Sequence, residues 1–283
     1  GVAAEEGRHV MKSVLRWFTP LISFIPLFQS WWFPPWRQYR RAHDLFSTFV
    51  TVRLAERGAQ GGDAQDVLGL MMSAHYDDGS SITDDEIRDE LLTVLLAGHE
   101  TTAVALSWAI YEVWRHPDVL QRLRHELDAL GPQPDPDLIA KQPYLSAVCD
   151  ETLRLHTILT EVARLARVPC ELFGYTIPPG VGVGVGIWAI HHDPELYPAP
   201  YTFRPERFLE RSFGPFEFLP FGGGHRRCLG AALSDYQMRL VLAMIATNWD
   251  LAIEGEDQDA RHNIGMGPKH GVRARVLGRR RAH

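Results

Sequence analysis

Phe221-Gly222-Gly223-Gly224-His225-Arg226-Arg227-Cys228-Leu229-Gly230 decides how this chain reads. It sets one cysteine in a glycine-rich loop, with arginines just before it. A helix-like run, Ala231 to Met238, follows. Glycine permits positive φ and close approach of the backbone. The start of the following helix offers free N–H groups and the positive end of a dipole, which favour a thiolate. A thiolate held in this way is a metal ligand, so Cys228 is the candidate metal site. The plainer alternative is a buried, inert cysteine beside a tight turn.

The pattern Phe-x-x-Gly-x-x-x-Cys-x-Gly resembles the haem-ligand loop of the cytochromes P450, the haem-thiolate monooxygenases. From average residue usage, four such fixed positions arise by chance in roughly one chain in a thousand of this length. The resemblance implies haem b (heme b, iron protoporphyrin IX) as cofactor. It makes Phe221, Gly222, Gly224 and Gly230 the cofactor-binding loop around Cys228.

Further segments follow in the family's order. Thr83-Asp84-Asp85-Glu86 is a capping box, and Ile82 with Ile87 forms a hydrophobic staple. A long helix is expected from there through Leu91, Leu92, Leu95, Leu96, Leu106, Ala109, Ile110 and Val113 to His116-Pro117, where it must stop. Inside it, Ala97-Gly98-His99-Glu100-Thr101-Thr102 resembles the family's distal-helix signature. Gly98 leaves a helix side without a Cβ. Thr101 reaches the carbonyl of Ala97 four residues back, where a hydroxyl bends a helix. The resemblance implies that Ala97 and Gly98 line the haem and that Thr101 and Glu100 are catalytic. Taken alone, a glycine in a helix is a packing residue.

Glu151 and Arg154 lie three apart in the amphipathic run Tyr144 to His156, on one helix face. Such a pair is by itself a solvated surface pair of little worth. The resemblance makes it a buried pair completed by Arg207, from Phe203-Arg204-Pro205-Glu206-Arg207-Phe208. These three are expected to be structural. The resemblance also places Arg164, in Ala163-Arg164-Leu165, on a strand at the haem edge. Arg226 joins it in gripping the propionates, a task that suits the bidentate guanidinium. Arg227, next along an extended loop, points the other way, onto the proximal surface.

The 283 residues are 45% hydrophobic and 23% charged, an ordinary globular composition. A net charge of −6 argues against a nucleic-acid partner. The three cysteines, Cys149, Cys170 and Cys228, show no Cys-x-x-Cys spacing. That fits a reducing, cytoplasmic compartment, with Cys149 and Cys170 as packed thiols. No uninterrupted apolar run is long enough to span a bilayer; Leu21 to Phe28 is broken by Pro26 and flanked by Pro20. Trp17, Trp31, Trp32 and Trp36 crowd this region, as core packing or, by family position, as a lid over the substrate channel.

Arg57 to Asp66 and Gly131 to Pro136 read as loops, and Val181 to Ile187 reads as a strand. No dinucleotide fingerprint is present. His191-His192 is no metal site if it lies on a strand, where adjacent side chains diverge. Arg279 to Arg281 read as a solvated tail.

The resemblance, running from about Trp31 to about Arg275, implies a mainly α fold with small β-sheets, the cytochrome P450 fold with its N-terminal portion missing. Residues 1–283 would be one partial domain. The implied activity inserts one oxygen atom from O2 into a small apolar organic substrate. No flavin or iron–sulfur segment is visible, so ferredoxin with ferredoxin reductase, or a similar donor, is the expected partner. Two features depart from the family. Only 100 residues precede Thr101. No proline occurs in His156 to Glu161, the segment that would line the substrate pocket. The rival reading is a non-catalytic fragment that does not retain haem.

Overall fold

Thr83 and Glu86 cap each other at the start of the longest helix. The backbone N–H of Thr83 donates to Glu86 Oε2 at 2.8 Å, and the amide of Glu86 returns a bond to Thr83 Oγ1 at 3.3 Å. The three bonds that Thr83 and Tyr76 donate to Glu86 hold its carboxyl below the usual range. The computed structural model describes residues 2–19, 25–60, 66–262 and 265–280. Its helices are α1 (Val2–Trp17), α2 (Pro34–Gln60), α3 (Val67–Ser73), α4 (Asp84–Arg115), α5 (Pro117–Asp128), α6 (Pro136–Ala140), α7 (Pro143–Leu155), α8 (Ile187–His191), α9 (Arg207–Glu210) and α10 (Ala231–Asn248).

Among the described residues the strands form four two-stranded antiparallel sheets. They pair β1 (Glu161–Leu165) with β4 (Gly182–Gly186) and β2 (Cys170–Leu172) with β3 (Tyr175–Ile177). They also pair β5 (Trp249–Glu254) with β8 (Arg273–Arg279) and β6 (Asp259–His262) with β7 (Gly265–Pro268). The fold is therefore mainly helical with small sheets.

Two compact units divide the chain, residues 1–99 and 100–283, the boundary falling inside α4. In the first, Val10 and Val14 of α1 pack with Ala42, Phe46, Val50 and Leu54 of α2 and with Ile87 and Leu92 of α4. Ile82 joins the same cluster as Ile87, as a staple requires. Trp36 stacks on Tyr39 and the half-exposed Trp32 meets Phe33 edge-on, with centroids 5.7 Å apart, while Trp31 stands in solvent, 80% exposed. Packing therefore accounts for only part of this aromatic group.

In the second unit, Ala105, Ala109 and Val113 of α4 meet Leu123 and Leu127 of α5, Leu145 and Val148 of α7, and Met238 and Leu242 of α10. α7 has no side-chain cap of its own at Gln142. Glu126 of α5 supplies one, its carboxylate accepting the amides of Tyr144 and Leu145 at 2.8 and 2.9 Å.

Five expectations are corrected. Arg279 closes β8 and Arg280 pairs with Asp128, so neither belongs to a solvated tail; Arg281 lies outside the described residues. Arg57 to Gln60 continue α2 rather than opening a loop, with Arg57 paired to Asp66; residues 61–65 lie outside the described residues, as do 20–24 of the apolar stretch. Cys170 is exposed, because β2 belongs to a sheet of two strands that leaves it uncovered, whereas Cys149 is fully buried. His191 and His192 end helix α8, not a strand. α4 alone among the described helices is long and apolar enough to cross a membrane by length and composition, though its second half is built into the core above.

Candidate haem-thiolate site

The cysteine loop is anchored at its start and folded back on itself. Phe221 packs against the second core. Its carbonyl accepts the amide of Cys228 at 2.9 Å, so the loop closes just where the thiol emerges. Between them a 3-10 turn spans Gly224–Arg226, and the amide of Arg227 donates to the carbonyl of Gly224 at 3.1 Å. Gly222 and Gly224 both have φ of +66°, a conformation that side chains resist, so the closure depends on glycine. Gly230 is the N-cap of α10, and a Cβ there would lie 3.9 Å from Cys228 Sγ. Cys228 is exposed.

Strand β1 runs beside this loop: a Cβ on Gly222 would sit 4.0 Å from Val162 Cγ1. Arg164, two residues along, is exposed and donates from Nη1 only to the carbonyl of Ala163. Arg226 is exposed as well. Among the described residues neither arginine has an ion-pair partner. One accessible thiol and two guanidiniums without an ion-pair partner among the described residues, beside a glycine loop, form a donor set that fits haem b, a flat iron complex bearing two carboxylates.

On α4, Ala97 and Gly98 are exposed, and a Cβ on Gly98 would meet no heavy atom within 4 Å. Glu100 and Thr101 are partly buried. The next residue, Thr102, is buried and lies with Oγ1 3.1 Å from Ser234 Oγ in the first turn of α10.

The structure brings Glu151, Arg154 and Arg207 together; they are 0%, 0% and 3% exposed. Arg154 forks onto Glu151 through Nε at 2.7 Å and Nη2 at 2.9 Å. Arg207 Nε donates to Glu151 Oε1 at 3.0 Å, and the amide of Arg204 reaches the same oxygen at 2.8 Å. The remaining guanidinium N–H groups donate to the carbonyls of His191, Pro198, Ala199, Pro200 and Thr202. Every charge in this cluster is thus paired and hydrogen-bonded, the condition on which buried ions persist.

Sequence reading missed His191 as a member of this framework. Its Nε2 accepts the amide of Leu219 at 3.1 Å, and its Nδ1 lies 3.1 Å from Thr157 Oγ1. Burial, then the charges of Arg154 and His192, push its pKa down to about 3, so the ring is neutral. Leu219 in turn accepts the amide of Gly222. A hydrogen-bonded path therefore runs from the ion cluster to the cysteine loop. The His-His pair was visible in sequence, but no spacing signals a bond to a distant backbone amide. Thr102 and Ser234 carried no signal either.

The sequence profile described as Cytochrome P450 matches residues 5–272. A protein named "Putative cytochrome P450 135B1" of Mycobacterium tuberculosis is 38% identical over 246 residues, 85% of this chain and 51% of its own length. "Putative cytochrome P450 137" of the same organism is 36% identical over 244 residues, 85% of this chain and 49% of that protein. This chain spans about half the length of these curated relatives. Among solved structures, "Retinoic acid bound cyanobacterial CYP120A1" superposes with a TM-score of 0.82 at 29% identity, covering 95% of this chain and 62% of that one. The structure titled "Crystal structure of cytochrome P450DA heme domain" gives 0.81 at 26% identity, covering 97% and 61%. With the match running nearly end to end, and with a thiol loop and a buried Glu–Arg–Arg cluster in one framework, this chain belongs to the cytochrome P450 family.

Proposed function

We propose that this chain carries the haem-binding core of a monooxygenase, with Cys228 as the residue that would hold the haem iron. The accessible thiol in its glycine-closed loop is the observation that carries the reading. When bound, haem supplies the activation of O2 that puts one oxygen atom into an organic substrate. Cys228 would hold the iron through its thiolate, and Arg164 and Arg226 would take the two carboxylates of haem b. Phe221, Gly222, Gly224 and Gly230 shape the loop, and Ala97 and Gly98 leave room on the distal helix. Thr101 holds a proton at its hydroxyl, and Glu100 replenishes it. Glu151, Arg154 and Arg207 keep the framework rigid.

Electrons come from a separate donor of the ferredoxin and ferredoxin-reductase type, and the protein works in the cytoplasm. The substrate is a small apolar organic molecule. Retinoic acid, bound in the cyanobacterial neighbour, is a first compound of that class to try. A second reading is a polypeptide that carries these motifs without retaining haem.

One spectrum separates them. The chain is loaded with haem, reduced and exposed to carbon monoxide. The red-shifted Soret band of a thiolate complex is expected, and it should vanish in Cys228→Ser. A band that survives the substitution removes Cys228 as ligand; a chain that never takes up haem favours the second reading.

A further inference from the structure

His156, which follows α7, stands where three elements meet. Its ring stacks on Trp108 of α4 with centroids 3.8 Å apart and planes 6° from parallel. Nε2 lies 2.7 Å from Glu112 Oε1, also on α4. Nδ1 lies 3.3 and 3.4 Å from the two carboxylate oxygens of Asp259 on β6. A neutral imidazole has a single N–H and serves one carboxylate; only the imidazolium donates to both. The side chains of His156 and Glu112 are 11% and 9% exposed, so their charges are poorly screened. Trp108, fully buried, presents its face to the ring and adds a cation–π term.

Burial pushes the His156 pKa down. The hydrogen bonds and charges of Asp259 and Glu112 outweigh it, and the net direction is up. Two further titratable groups face the site. His116, just past α4, lies with Nδ1 2.8 Å from the carbonyl of Glu112 and 3.4 Å from its Oε2. His192, just past α8, has its pKa lowered first by burial and then by the charges of Arg154 and His156.

Strands β6 and β7 have a second tie to the same stretch of chain. The amide of Met266 donates to the carbonyl of Ile158 at 2.7 Å. A Cβ on Gly265 would come within 3.1 Å of that carbonyl oxygen, so the approach is close. The stretch just before β6 is also held to α4, by the Asp257 amide on Tyr111 Oη at 3.3 Å and by Arg115 Nη1 on the Gly255 carbonyl at 3.2 Å. These bonds and that of Met266 do not titrate near neutral pH; the tie at Asp259 passes through a single ring that does.

We propose that His156 is a protonation-dependent clamp: as imidazolium it fastens β6 to α4 through Asp259 and Glu112, and on losing its proton it keeps one carboxylate and lets β6 and β7 loosen. A ring whose pKa is raised by folding stabilises the fold fully below its unfolded value of about 6.5. That contribution is lost as pH climbs through the raised folded value.

The test is amide hydrogen exchange of the purified chain between about pH 6 and pH 9, corrected for the intrinsic rate. It is read at Met266 and across Asp259 to Arg261. Protection should fall with rising pH, about tenfold for each pH unit separating the folded and unfolded titrations of the ring. Asp259→Asn, a half-exposed position, should flatten this dependence while amides of α7 and α10 keep their protection. His156→Phe keeps the stack on Trp108 and loses both bonds; its β6 and β7 amides should exchange fast at every pH. Protection that is flat across the range in the unaltered chain overturns the clamp. So does an unchanged pH dependence in Asp259→Asn, or full protection in His156→Phe.

Discussion

Thr102 Oγ1 and Ser234 Oγ lie 3.1 Å apart, so the helix bearing Glu100 and Thr101 is hydrogen-bonded to the first turn of the helix that starts behind Cys228. The bond is partly buried and joins two neutral hydroxyls. Ser234→Ala should cost about 1 kcal/mol, the usual net worth of such a bond. Thr102→Val should cost a similar amount, and the double variant less than the sum, because the two share one interaction. Denaturant midpoints of the three variants measure this; strict additivity would show that the hydroxyls do not interact.

Glu151 is the centre of the buried ion cluster. Glu151→Ala leaves Arg154 and Arg207 facing each other without an anion, and should destabilise the fold by about 3–5 kcal/mol. Loss of soluble protein, or a denaturant midpoint displaced by that amount, is the expected reading. A variant of ordinary stability would make the cluster dispensable.

How much of this was legible beforehand depends on range. The capping box, the stop at His116-Pro117 and the strand through Val183 are local, and the structure has all three. Glu151 and Arg154 are local too, at one turn's spacing, but their burial depends on Arg207, fifty-three residues beyond Arg154. Only a resemblance to a known fold joined those motifs. Thr102–Ser234 and His191–Leu219 cross the chain between ordinary residues, so nothing in a pattern announces them. The exposure of Cys170 was misread because composition says which residues tend to be buried, not which sheets have a neighbour to cover them.

Arg164 and Arg226 should both matter for haem retention, as each would be left with a charge-assisted bond to a carboxylate. Replacing either by leucine should weaken haem affinity by about ten- to a hundredfold, from the 1.5–3 kcal/mol that such bonds contribute. Arg227→Leu should leave it unchanged. Haem transfer titrations decide the matter; equal effects at all three positions would reduce the assignment to general surface charge.

The role proposed for Thr101 is proton delivery and not haem retention. Thr101→Val should keep haem content near normal while product formed per electron consumed falls and hydrogen peroxide rises. Glu100→Gln should slow turnover through the same route, with non-additive effects in the double variant. Full coupling in Thr101→Val would reduce the residue to helix packing.

Asp150 gives the fold a pH dependence of its own. Burial, aided by the charge of Asp235 and opposed by Arg239 and Ser146, lifts its carboxyl from 3.8 to about 7. The folded chain therefore holds a proton that the unfolded chain releases, and stability drains as pH rises between the two values. Asp150→Asn should match the unaltered chain near pH 4. Above that it should gain on it by up to about 1.4 kcal/mol per pH unit until about pH 7. Melting curves across this range test the sign; a variant less stable at pH 8 than the original would reverse it.

The carboxylate of Glu126 that receives the amides of Tyr144 and Leu145 also bears on the order of folding. The cap closes a loop of eighteen residues, whereas Glu151 must wait for Arg207 across fifty-six. Short closures cost less chain entropy and form sooner. The α5–α7 pair is thereby set to assemble first, as a nucleus, with the ion cluster locking in afterwards. Kinetic φ-values should then be high for Glu126→Ala and low for substitutions at Arg207.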